Sequence, residues 1–126
     1  MSMFSIVGIA CGDAAFSMLS EDSAFMPEHL YQYTDEETGE TVHICTWEWV
    51  DWTDFGGNSP EVLWVRDVLR MLDQHEDSDD TRFGYKMVQM NEAYEGFTVG
   101  FNPPGEAFHV GLRVTVDIPS CAVLIL

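Results

Sequence analysis

Positive charge is what this sequence has least of. Lys86 is its one lysine, and Arg66, Arg70, Arg82 and Arg113 complete the basic set, against 22 aspartates and glutamates and a formal net charge of −17. Five cations can pair one-to-one with only five carboxylates, so most of the acidic side chains must be solvated. The same shortage excludes direct binding of nucleic acid, because phosphates are neutralised by clustered Lys and Arg. Cysteine is scarce too. Cys11, Cys45 and Cys121 are odd in number and show no CxxC spacing, which argues against a disulfide framework and predicts buried free thiols in a reducing cytoplasm. No run approaches the ~20 apolar residues of a membrane span. The apolar residues 1–16 lack a basic leader and are broken by Gly8, Gly12 and Asp13, so a signal peptide is not expected. The expected location is the cytoplasm.

Catalytic signatures are missing as well. Ser17, Ser59 and Ser120 lie in no GxSxG or Cys–His setting, and Gly56–Gly57, Gly96 and Gly100 do not form a phosphate loop. A calcium loop starting at Asp77 would need Gly and Glu where Arg82 and Val88 stand. His43 and Cys45 make one loose ligand pair on a strand face, with Cys11, His29, His75, His109 and Cys121 scattered elsewhere. Zinc sites show paired short spacings, so these residues read as satisfied core or surface groups. No metal, cofactor or enzymatic activity is expected.

What the chain does have is apolar and aromatic mass. It is 46% hydrophobic and 13% aromatic over 126 residues, enough for one domain with one core and too apolar for disorder. Residues 41–52, TVHICTWEWVDW, hold three of the four tryptophans and read as a strand. Strict alternation sets Val42, Ile44, Thr46, Glu48, Val50 and Trp52 on one face and His43, Cys45, Trp47, Trp49 and Asp51 on the other. This predicts a central strand covered on one side and used on the other.

Around it, residues 4–10 read as a buried strand and residues 14–19 as one or two helical turns capped by Asp13. Residues 30–34 form a strand joined to 41–52 through an acidic turn in which Gly39 takes positive φ. Ser59 as N-cap, Pro60 at the first position and Glu61 in the first turn start a helix over about 60–74, with Val62, Val65, Leu69 and Leu72 inward, widened by Val68 and Trp64. Arg66, Asp67, Arg70 and Asp73 lie opposite. Residues 75–80 form an acidic linker. Strands are predicted over 83–91 and 97–101, where Phe97, Val99 and Phe101 point one way. A third is predicted over 109–118, where Val110, Leu112, Val114, Val116 and Ile118 face inward and His109, Gly111, Arg113, Thr115 and Asp117 face outward. Residues 122–126 add a buried strand or seal the core. The sum is an α+β domain spanning 1–126: a mostly antiparallel sheet of five to seven strands with one main amphipathic helix packed on one face.

Three explanations compete for the charge: a solvated surface kept for solubility, adaptation to high salt, and complementarity to a basic surface. The aromatic- and Met-rich composition gives salt adaptation no support. Acidic clusters set beside aromatics fit an interface, where Trp and Tyr anchor and charge steers. The candidate partner-binding residues are Asp35, Glu36, Glu37 and Glu40 at the hairpin tip; Trp47, Glu48, Trp49, Asp51 and Asp54; and Asp73, Glu76, Asp77, Asp79 and Asp80. Of the tryptophans, one of Trp47, Trp49 and Trp52 is expected in the core and at least one at the surface.

In charge, size and missing catalytic motif the chain resembles the acidic nucleic-acid mimics of bacterial viruses, the anti-CRISPR and anti-restriction proteins. The likeness carries over no site residue. It implies a non-enzymatic inhibitor that occupies the basic channel of a nucleic-acid-binding protein or complex. Two other classes fit the composition: a bacterial immunity protein that neutralises a basic nuclease toxin, and a structural or assembly protein of a virion.

Overall fold

The apolar run near the start of the chain becomes a strand in the interior of a sheet. This computed structural model describes residues 4–51, 59–74, 80–91, 96–112 and 116–125, with only the backbone described for Asp51, residues 96–99 and Leu112. In β1 (Phe4–Cys11) every side chain but that of Phe4 is buried, which requires neighbours on both edges and cover on both faces. Following α1 (Asp13–Leu19) and β2 (His29–Thr34), β3 (Thr41–Asp51) pairs with β1 on one edge and with β2 on the other. After α2 (Pro60–Asp73), β4 (Tyr85–Asn91) pairs with the free edge of β1, and β5 (Gly96–Phe101) with β4. Two short strands, β6 (Gly111–Leu112) and β7 (Val116–Asp117), pair with each other, and β8 (Val123–Leu124) adds to β2. The six-stranded sheet runs β5-β4-β1-β3-β2-β8, with every described pairing antiparallel. With two helices beside it, this is an α+β fold.

Helix α2 forms where the sequence predicts. Ser59 is its N-cap, Pro60 opens it with its missing N–H where none is needed, and Gln74 ends it. Val62, Val65, Val68, Leu69 and Leu72 are buried, each stabilising the fold by about 1.5–3 kcal/mol relative to exposure. They meet Val7, Ile9, Cys11, Cys45, Trp47, Tyr85 and Met87 of the sheet, with Ala15 and Leu19 of α1. Two anchors tie the helices in place. Trp64 donates its indole N–H to the Leu19 carbonyl at the end of α1 (2.8 Å), and the Glu61 carboxylate accepts the Met26 N–H.

The opposite face of the sheet is covered as well, against the expectation of one open face. Ala10, Tyr33, Val42, Ile44 and Val88 form a second core with Phe108 and Val110, and Val116, Ile118 and Ala122 pack against it. Residues 108–112 and 116–122 cross this face instead of extending the sheet. The continuous strand predicted over 109–118 is therefore two strands, β6 and β7, folded on one another. Period-two alternation is the same on both arms of a hairpin, so the pattern did not reveal the reversal. Arg113, Val114 and Thr115, within that run, lie outside the described residues. The C-terminal tail does not bury itself either: Val123, Leu124 and Ile125 are 63%, 55% and 47% exposed, because β8 sits at the sheet margin and holds on through two register pairs and the Ile125 N–H to Leu30 carbonyl bond (2.6 Å).

Three smaller corrections follow from local geometry. Gly12, not Asp13, is the N-cap of α1. A Cβ on Gly12 would stand 2.2 Å from the Thr81 carbonyl oxygen, so glycine is needed for that close approach, and Asp13 is left free for another partner. The strand predicted from residue 83 starts at Tyr85, because Thr81–Phe83 form a 3-10 turn capped by the Asp80 carboxylate on the Arg82 N–H. Finally, β3 does not alternate to its end. Val7 pairs with Trp47 but Ser5 with Val50, so Glu48 and Trp49 stand together opposite Ile6 in a bulge, and Trp49 takes φ 55°. The predicted shared face of Trp47, Trp49 and Asp51 is broken there. Gly39 does take the positive φ expected of it, 73°.

Candidate functional site

The hairpin tip between β2 and β3 is built by its own acidic residues. The Asp35 carboxylate accepts the Glu37 N–H (2.9 Å) and the Thr38 N–H (3.1 Å), closing the turn. Glu40 accepts the Thr81 hydroxyl. Asp80 holds Arg82 through both carboxylate oxygens, at 2.8–3.2 Å, and this neighbour raises the affinity of the guanidinium for its proton. Of the four predicted tip carboxylates, Glu36 and Glu37 are the exposed pair, while Asp35 and Glu40 are half-buried and committed to local structure. Asp73 accepts the Tyr85 hydroxyl at 2.6 Å. Burial of Tyr85, helped by that bond, pushes its phenol well above the ordinary value.

The tryptophans divide as expected, one in the core and one at the surface, although strict alternation sets Trp47 and Trp49 on one face. Trp47 is 3% exposed and packs edge-on to Phe25 at 5.8 Å, which removes it from the set of partner-binding residues. Its position beside Cys45 and His43 puts it under the helices. Trp49, in the bulge, is 42% exposed. Trp52, Asp54, Glu76, Asp77 and Asp79 lie outside the described residues, as does the side chain of Asp51.

His43, one candidate for chemistry, is fully committed. Gln32 donates its amide N–H to Nδ1 (3.2 Å), so Nε2 carries the proton and donates it to Asp13 at 2.6 Å. Phe16 stacks on the ring at 4.2 Å. Neither nitrogen is left to take a proton from a substrate or to bind a metal. Cys11 and Cys45 are both buried, and their mutual hydrogen bond together with burial pushes the Cys11 thiol up, away from thiolate reactivity.

One constellation was not visible in the sequence. Pairing of β2 with β3 places His29 opposite Thr46, and the Glu28 N–H donates to the Thr46 carbonyl at 2.9 Å. Two residues further along β3, at the bulge, stands Glu48. Ligand atoms of Glu28, His29 and Glu48 all lie within 4.8 Å of one another. A recess of about 70 Å³ adjoins them, lined by His29 and Glu48 with Ile6, Tyr31, Thr46 and Val116 among others. A larger, open hollow of about 310 Å³ lies on the same face of the sheet, with Lys86, His109 and Asp117 on its walls.

None of the described Asp and Glu side chains is buried. Among the described residues, no helix is long and apolar enough to cross a membrane. No family model, curated protein or solved structure matches the chain.

Proposed function

We propose that this protein is a non-enzymatic acidic inhibitor that imitates the charge of a nucleic acid. It occupies the basic channel of a nucleic-acid-binding protein in the cytoplasm of a bacterial host cell and blocks substrate access. The observation that carries this reading is that every described carboxylate reaches solvent while the chain holds five cations against 22 acids. A rigid sheet displaying unneutralised carboxylates attracts a basic partner at long range and sets its register. Glu36, Glu37, Glu48 and the exposed Trp49 are the described residues best suited to contact. That His43 and Cys11 are tied up also favours binding over catalysis. A second reading, an assembly protein of a virion, is favoured by one feature: the exposed apolar strand of Val123, Leu124 and Ile125 at the sheet margin.

The test is capture from a bacterial lysate at low salt, elution by a salt gradient and mass spectrometry. A nucleic-acid-binding protein released as salt rises supports mimicry, and the Glu36→Lys/Glu37→Lys variant then associates about tenfold more slowly or worse, with a flatter salt dependence. Self-association that persists in high salt, with no basic protein recovered, supports the assembly reading instead.

A further inference from the structure

We propose that Glu28, His29 and Glu48 form a binding site for a borderline divalent cation of the Zn²⁺ class. The inference is independent of charge mimicry and rests on donor chemistry and geometry. One imidazole and two carboxylates are a recurrent ligand set for zinc and its neighbours, whereas Ca²⁺ and Mg²⁺ take oxygen ligands. Two ligands about 2.1 Å from a shared ion stand at most about 4.2 Å apart. The three donors here already lie within 4.8 Å of one another. The Glu28 and Glu48 side chains are exposed, so they can turn to reach the ~3.4 Å separation of tetrahedral ligands, and His29 is half-buried.

The scaffold is fixed where it matters. His29 belongs to the β2–β3 ladder and Glu28 is pinned to Thr46 by its backbone. Glu48 stands on β3, an internal strand of the sheet. His29 opens β2, Glu28 immediately precedes it and Glu48 lies on β3, so the site exists only in the folded chain, and an ion held there stabilises the fold by mass action. Among the described residues no basic side chain pairs with Glu28 or Glu48, so two carboxylates and an imidazole share a small volume without a counter-charge. With three protein donors, the ion keeps at least one open position. The recess bordered by His29 and Glu48, about 70 Å³, has room for about two waters at ~30 Å³ each.

A protein of this charge attracts divalent ions everywhere on its surface, so the test must separate a built site from that background. Metal-stripped protein is titrated with ZnCl₂ by calorimetry in 150 mM salt, alongside Glu48→Gln, His29→Gln and, as a control remote from the site, Glu36→Gln/Glu37→Gln. Circular dichroism checks that each variant is folded. The expected result is one saturable equivalent in the parent and the control, weakened about tenfold or more in both Glu48→Gln and His29→Gln. In the parent, NMR shows the His29 ring signals moving with that equivalent while those of His43 stay put. Unsaturable uptake, or binding that survives both site substitutions, means an adventitious ion only and overturns the proposal, as does the absence of binding.

Discussion

Asn102 is the side chain whose removal should cost this protein most for its size. It is 1% exposed and sits where the chain leaves β5, under the end of α2. Its Oδ1 accepts the Tyr85 N–H (2.8 Å) and the Gly105 N–H (3.2 Å), and its Nδ2 donates to the carbonyls of Phe83 (2.8 Å) and Leu72 (3.3 Å). One amide thus joins β4, the preceding 3-10 turn, the Pro103–Gly105 turn and α2. Gly105 N–H has a second acceptor in the Asn102 carbonyl, so Asn102→Ala chiefly strands the two groups held at 2.8 Å. Each buried group left unsatisfied costs about 1–3 kcal/mol, which gives roughly 2–6 kcal/mol before any cavity term. Against a typical total of about 5–15 kcal/mol, that is a large share. With an m-value of about 2 kcal/mol/M, the urea midpoint should fall by about 1–3 M at unchanged slope. Asn102→Asp sharpens the test. It keeps the two acceptor bonds but sets a carboxylate against two carbonyls, so it should be at least as damaging at pH 7; burial raises the folded-state pKa of that acid above the unfolded ~4, so stability should recover in part as pH falls toward about 4 and the protonated acid donates. A midpoint shift under about 0.5 M for Asn102→Ala would refute the reasoning, since the four bonds would then be replaceable by water.

Other outcomes follow from the same physics. Gly12→Ala forces a methyl against the Thr81 and Arg82 backbone, with contacts of 2.2–2.7 Å that no side-chain rotation relieves, so a loss at or above the upper end of the about 1–3 kcal/mol for overpacking is expected in urea unfolding. Stability should fall at high pH. Burial raises Tyr85 and Tyr33 above 10.0, and the Cys45 hydrogen bond with burial raises Cys11 above 9.0, so their contribution is whole below those values and is lost as pH rises and the unfolded chain ionises first. Tyr85→Phe should flatten that decline between pH 10 and 11, read from unfolding midpoints at each pH, by no more than about 1.4 kcal/mol per pH unit. Added NaCl should stabilise the parent, because self-repulsion at −17 is screened as the Debye length falls from about 30 Å at 0.01 M to about 3 Å at 1 M. A rise in thermal midpoint of about 4 °C, or about 1 kcal/mol, is expected, and a flat response would show that the carboxylates are already neutralised.

The parts of the fold that were legible in the sequence are those decided by near neighbours. The β2–β3 hairpin follows from two alternating runs around Gly39, and α2 from Ser59-Pro60-Glu61 and a 3.6-residue apolar stripe. What escaped depends on distant pairing. The reversal between β6 and β7 keeps the same alternation and shows only in what the segment covers, namely Tyr33, Val42 and Ile44. The bulge at Glu48–Trp49 was hidden because a tryptophan at positive φ breaks the usual preference for glycine at such a place. Since that bulge and the β2–β3 register together bring Glu48 to Glu28 and His29, this cluster could not be read from spacing along the chain. The acidic tip was recognised, but which of its carboxylates are spent on the turn and which are free is a matter of hydrogen bonds.

The place of β1 has a consequence for how the chain is made. Strand β1 is enclosed by β3 on one edge and by β4 on the other, and β4 begins 74 residues after β1 ends. At about 5–20 residues per second, synthesis leaves the apolar sequence FSIVGIAC with one unpaired edge for roughly 4–15 s. Pairing across so long a separation is also slow in itself. The nascent chain therefore passes through a state that can recruit other strands, and the yield of folded protein should depend on expression temperature and chaperone supply more steeply than the stability of the finished domain would suggest.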